Sequence, residues 1–130
     1  MTTDLLVTIG ELAETTGTTV SAIRYYDEVG LVTPAARVGG KRRFSTDAIG
    51  RVSFIRRSQS AGFTLEDIKT ILDDRAGQWP ELVNDHLATL RSRRDQLDVM
   101  ITMLEEVQRC GCSVVAECPR VTEGFRVTKC

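Results

Sequence analysis

Over the first 75 residues, apolar positions recur at helical spacing in short bursts, each closed by glycine or proline. Ile9, Leu12 and Ala13 follow Thr8, a good N-cap because its hydroxyl can accept from an open backbone N–H, and Glu11 sits in the first turn. That helix ends at Gly17. A second starts near Thr18 and Thr19, buries Val20 and Ile23, passes through Arg24, Tyr25 and Tyr26, and stops near Gly30. Two short helices joined by a glycine-containing turn predict a helix-turn-helix. Pro34 then excludes further helix, and Gly39-Gly40 between extended residues predicts a small hairpin running from Arg37 to Phe44, a wing.

From Ser45-Thr46-Asp47 a third helix is expected to bury Ile49, Val52, Phe54 and Ile55 and to end at Gly62. Thr64 with Asp67 three residues on forms a capping-box pattern before Leu65, Ile68, Ile71 and Leu72. The pattern changes after a polar break at 73–78. Trp79-Pro80 opens a stretch without glycine or further proline until Gly111, in which Val83, Leu87, Leu90, Arg94, Leu97, Ile101 and Leu104 alternate in steps of four and three. This is a heptad seam interrupted once, by Arg94. Such a helix would run about 45 Å, so its stripe needs either a second copy of the chain or a fold back onto the head. The fold class expected is mainly α: a winged helix-turn-helix head over 1–75, a coiled-coil dimerisation helix over 76–109, and a cysteine-bearing loop and tail over 110–130.

Charge changes this picture locally. The net charge is −1, with 27% charged residues, so nothing global advertises nucleic acid. Between Arg37 and Arg57, however, Arg37, Lys41, Arg42, Arg43, Arg51, Arg56 and Arg57 face a single acid, Asp47. On the second helix Thr19, Ser21, Arg24, Tyr25 and Tyr26 are candidates for phosphate and base contacts, and Arg37, Lys41, Arg42 and Arg43 are candidates on the wing. The partner expected is double-stranded DNA.

Cysteines are absent from the first 109 residues. Cys110, Cys112 and Cys118 then fall within nine positions, and Cys130 is the last residue. No leader-like or membrane-spanning run occurs, so a cytoplasmic protein with no membrane partner is expected; in that reducing compartment clustered thiols point to metal, cluster or redox chemistry. The competing readings are a thiol-only redox switch in which Cys110, Cys112 and Cys118 form disulfides on oxidation, incidental small apolar residues, a thiol oxidoreductase using Cys110-Gly111-Cys112, and an effector-free DNA-bending protein. No βαβ pattern and no base near the thiols supports an enzyme. His86, the sole histidine, is a further candidate ligand.

The runs beginning Ile9-Gly-Glu-Leu-Ala, Ile23-Arg-Tyr-Tyr-Asp-Glu-Val-Gly-Leu, Lys41-Arg-Arg-Phe, Phe54-Ile and Gly62-Phe-Thr-Leu-Glu-Asp-Ile closely resemble the MerR family of transcription regulators. The resemblance implies a homodimer joined by antiparallel long helices, acting on a promoter whose over-long spacer is untwisted and bent for RNA polymerase. It also places the effector site just beyond the long helix. There Cys-x-Cys-x5-Cys-Pro resembles three of the four cysteines of the SoxR branch, which carries a [2Fe-2S] cluster, with Val107 where its first would stand and Trp79 resembling a tryptophan near that cluster. Cys110 and Cys118 equally resemble the metal loop of the copper-sensing branch, where two thiolates suit Cu(I). In the divalent-metal sensors a further cysteine precedes the long helix, and Arg75-Ala76-Gly77 offers none. The metal candidates are therefore Cys110, Cys112, Cys118 and Cys130.

Overall fold

A computed structural model describes residues 5–124; Cys130 lies outside the described residues. β1 (Val7–Thr8) leads into α1 (Ile9–Thr16), followed by α2 (Val20–Glu28), β2 (Ala36–Val38), β3 (Lys41–Phe44), α3 (Asp47–Ser60) and α4 (Leu65–Asp73). α5 (Trp79–Arg109) is the long helix, and a 3-10 turn (Val115–Glu117) and α6 (Pro119–Thr122) follow it.

The caps act as the sequence requires. Thr8 accepts from the Glu11 N–H at 3.0 Å while Glu11 accepts from the Thr8 N–H at 3.4 Å, and Thr64 and Asp67 do the same at 3.1 and 3.3 Å. α1 stops because Gly17 takes a left-handed φ of 64° and sends its N–H back to the Ala13 and Glu14 carbonyls, a conformation an L side chain resists. The wing turns at Gly39 and Gly40, whose φ of 58° and 76° fit the tight turn that matches strand twist. Arg37 pairs with Arg42 and Val38 with Lys41 across it. β1 pairs antiparallel with β3, Val7 opposite Phe44, giving the sheet order β1-β3-β2; this third strand is too short to be read from the sequence.

Packing divides the chain into two units, one ending at Val83 and one beginning at Asn84. The first has a closed core in which Leu12, Ile23, Leu31, Val32, Phe44, Val52, Ile55 and Ile68 are fully buried, each such side chain contributing roughly 1.5–3 kcal/mol. Phe54, expected inside, is instead exposed, because it points from α3 into a recess shared with Phe63, Ile71, Trp79 and Val83. Trp79 and Val83 in that recess explain why the first turn of α5 counts with the head rather than with the helix expected from 76 onward. In the second unit, α5 buries none of its residues. Leu97, Ile101 and Leu104 are 57%, 51% and 63% exposed. Among the described residues no helix is long and apolar enough to cross a membrane.

Candidate functional site

Two candidate sites lie in different units. In the head, α2 and the wing converge on a cleft of about 410 Å³ lined by Thr8, Ile9, Arg24, Gly40, Lys41, Arg42 and Arg43. Arg24 reaches it because Ile23 and Tyr26 turn the opposite face of α2 into the core. Ser21, Arg24, Tyr25, Arg37 and Lys41 are exposed. Thr19 uses its hydroxyl oxygen to cap α2, accepting from the Ala22 N–H at 3.1 Å, which leaves its O–H to donate outward. Thr8 and Ile9 were not foreseen here; the signal was the capping box, which fixes the start of α1 against the wing.

Several basic residues expected to face DNA are engaged within the head. Arg42 donates from Nε to Asp27 at 2.7 Å, tying the wing to α2. Arg51 donates to the Leu31 carbonyl, and Arg56 donates to the carbonyls of Thr16 and Gly17, closing the C-terminus of α1. Lys69 donates to the Val29 carbonyl at 3.1 Å, doing the same for α2. These cations neutralise carbonyls that a helix end leaves without partners. The expectation for Tyr26 is corrected: it is 5% exposed, and its hydroxyl donates to Gln59 Oε1 at 2.8 Å. A tyrosine one residue past an exposed one on a helix turns about 100° away, into the core. Burial pushes its hydroxyl above the ordinary tyrosine pKa, opposed in part by the positive Arg56.

In the second unit α5 ends at Arg109, and the chain doubles back through the 3-10 turn so that Cys118 precedes α6. Pro119 occupies the first helical position, where a missing N–H costs nothing. The Sγ atoms of Cys110, Cys112 and Cys118 all lie within 4.8 Å of one another, with Cys110 at 3.5 Å from Cys112 and 3.2 Å from Cys118. They share a small cavity of about 180 Å³ with Val107, Val115, Val121 and Arg120. Val107, at the position where the SoxR resemblance would put a cysteine, lines that cavity as an apolar wall. His86 is not part of the cluster of ligand atoms.

Cys110 is disulfide-bonded in this structure, whereas Cys112 and Cys118 are free thiols, and those two are electrostatically unequal. Burial opposes ionisation of Cys118, but the backbone N–H of Arg120, the Cys112 thiol, the backbone N–H of Val121 and the Arg120 charge together hold it below the usual thiol range. Cys112 is pushed up, first by its hydrogen bond to Cys118 and then by burial and the neighbouring thiolate charge. One sulfur poised to be anionic beside another held protonated is a metal-ligand set whose loading releases protons.

A winged helix-turn-helix with a basic cleft, followed by a long helix with no cover, defines a DNA-binding regulator. Residues 7–75 match the model for MerR HTH family regulatory proteins, and residues 49–107 match that for the MerR DNA-binding region. The chain belongs to the MerR family of transcription regulators and is not an enzyme, which removes the thiol oxidoreductase reading. It is 36% identical over 126 residues to an HTH-type transcriptional activator SoxR homolog of Chromobacterium violaceum, covering 86% of this chain and 80% of the relative. The crystal structure of the transcription regulator PbrR691 from Ralstonia metallidurans CH34 in complex with lead(II) is 27% identical, with a TM-score of 0.67, covering 90% of this chain and 98% of that one. HiNmlR, a MerR family regulator lacking the sensor domain and bound to promoter DNA, is 26% identical, with a TM-score of 0.58, covering 78% and 86%.

Proposed function

We propose that two copies of this chain join through the α5 seam and bind a pseudo-palindromic promoter in the cytoplasm. A soft metal ion held by Cys110, Cys112 and Cys118 is the signal that changes how the two heads sit on DNA. The observation that carries this reading is the three sulfurs gathered within 4.8 Å; once reduced, they are thiolate ligands, which select soft ions such as Cu(I). The exposed apolar seam supports the homodimer, because a stripe of leucines in water is costly until a matching stripe covers it. Arg24, Tyr25, Thr19 and Ser21 supply the groove and phosphate contacts, and Arg37, Lys41 and Arg43 of the wing supply backbone charge. Holding the heads in the activating geometry untwists and bends the promoter for RNA polymerase, a deformation of order 1–6 kcal/mol that the contacts of both heads must offset.

A second reading has a specific observation in its favour. The 36% identity to a SoxR homolog and the Cys-x-Cys-x5-Cys-Pro spacing favour a [2Fe-2S] cluster. Such a cluster takes four thiolates, and Cys130 is the candidate fourth. When bound, the cluster would supply one-electron redox sensing; the chain's own part is to hold it in a small cavity walled by Val107, Val115 and Val121.

Anaerobic purification with an ultraviolet-visible spectrum and metal and sulfide analysis separates the two. A colourless protein that takes up Cu(I) supports the first reading. Visible sulfide-to-iron bands with iron and sulfide in stoichiometric amounts, lost in Cys130→Ser, overturn it for the second. Replacing Cys110, Cys112 and Cys118 together by Ser is expected to abolish the promoter response while leaving DNA affinity within about threefold. A response unchanged under every metal and oxidant would make the protein an effector-free bender and overturn both.

A further inference from the structure

Among the described residues, Arg120 is the one charged side chain lining the cavity of the three sulfurs. Its side chain is 16% exposed, its Nη1 donates to Glu106 Oε2 at 3.3 Å, and among the described residues its Nε is the buried side-chain polar atom with no hydrogen-bond partner. A guanidinium offers five donors and stays charged at any pH relevant here. A buried N–H without an acceptor is unfavourable, and this one belongs to a residue that lines the cavity of the three sulfurs. Glu106 draws part of the charge toward α5 but is itself roughly half exposed, and water weakens its hold. Arg120 is thus a cation held at one nitrogen by Glu106 and left without a partner at another.

We propose that Arg120 is the specificity-determining residue of this site: it serves as countercharge and N–H donor to the sulfurs and biases them toward centres that carry net negative charge. The inference rests on reading Cys110, Cys112 and Cys118 as effector ligands. The charge balance is direct. Bound by the same thiolates, a monovalent ion leaves the centre one unit more negative than a divalent ion does. In a small, apolar, partly dry cavity that extra charge is poorly solvated, and Arg120 is the group placed to stabilise it. With Arg120 present the cavity favours monovalent soft ions; without it the walls formed by Val107, Val115 and Val121 disfavour them.

The test measures Cu(I) and Cd(II) affinities by chelator competition on full-length, reduced protein, using wild type, Arg120→Leu, Arg120→Lys and Glu106→Gln. Arg120→Leu is expected to lose tenfold or more in Cu(I) affinity and less than threefold in Cd(II) affinity. Arg120→Lys, which keeps the charge, should hold the Cu(I)-to-Cd(II) ratio within about threefold of wild type. Glu106→Gln removes the brace but not the cation, so the ratio should stay constant or move toward Cu(I). If Arg120 only latched α6 to α5, Glu106→Gln would mimic Arg120→Leu and both ions would weaken equally; that result, or an unchanged ratio in Arg120→Leu, overturns the inference alone. A wild-type protein that takes up neither ion through these cysteines overturns the sensor reading on which the inference stands.

Discussion

The two units of this chain solve opposite problems. In the head, fully buried Leu12, Ile23, Phe44, Val52, Ile55 and Ile68 close a core, and Arg42, Arg51, Arg56 and Lys69 are spent on internal partners. In the second unit α5 buries nothing, and Cys118 is the only buried side chain beyond Val83 among the described residues. A unit with a closed core and a unit with an uncovered apolar helix are thus joined in a single chain. The head closes its own core, whereas the long helix leaves open the seam that the proposed second copy would cover, and the loop gathers the sulfurs proposed to hold the effector.

The contrast is broken most severely at the seam. Leu97→Glu with Ile101→Glu places two carboxylates on the stripe, and like charges repeated across a two-fold interface cannot be buried unpaired. Light scattering should show a monomer, and promoter affinity should fall by on the order of 10²-fold or more, since each head then binds without the other. Urea unfolding of the head should still be cooperative. A dimer of unchanged affinity would show that the seam is covered by something other than a second copy.

Within the head the next effect is at Arg24. Arg24→Ala should cost about 1–3 kcal/mol in promoter affinity and, where the guanidinium reads a base edge, relax preference at one position. Competition binding against a set of single-base variants measures both. The wing gives a finer division. Lys41 is exposed and Arg42 is held by Asp27. Lys41→Ala should reduce the slope of log affinity against log salt by about one. Arg42→Ala should weaken binding by loosening the wing while leaving that slope close to wild type. Equal slopes for both variants would mean that Arg42 neutralises a phosphate despite its carboxylate partner.

Elements whose signal is local were legible in the sequence. Thr8 with Glu11, Thr64 with Asp67, Gly17, and the Gly39-Gly40 turn each act within four residues, so spacing alone located them. The cysteine cluster was legible for the same reason: two of its members are separated by one residue and the third returns after a short loop. What spacing could not supply was long-range pairing. Arg56 lies 40 residues from Thr16, whose carbonyl it caps, and Arg42 lies 15 from Asp27. A count of basic residues therefore overstated the charge available to DNA. Phe54 was misplaced because an apolar residue at core spacing looks the same whether it enters the core or lines a recess at its edge.

The smallest effect sharpens the boundary between core and interface on α2, where Tyr25 and Tyr26 are adjacent in sequence and opposite in environment. Tyr26→Phe removes only the hydroxyl that reaches Gln59. Gln59 is exposed, so its freed oxygen can turn to water and the loss is one net hydrogen bond, about 0.5–1.5 kcal/mol. Urea unfolding at fixed protein concentration should register that loss, with promoter affinity unchanged; a phosphate-binding hydroxyl would give the reverse. Alkaline pH adds an independent check. Because burial raises the Tyr26 hydroxyl above its unfolded value, the stability tied to its neutral form is complete below about pH 10 and is lost as pH rises from there through the folded value. The variant has no hydroxyl to ionise, so the stability gap between it and wild type should narrow as pH is raised through that window, whereas a gap constant with pH would place the hydroxyl in water.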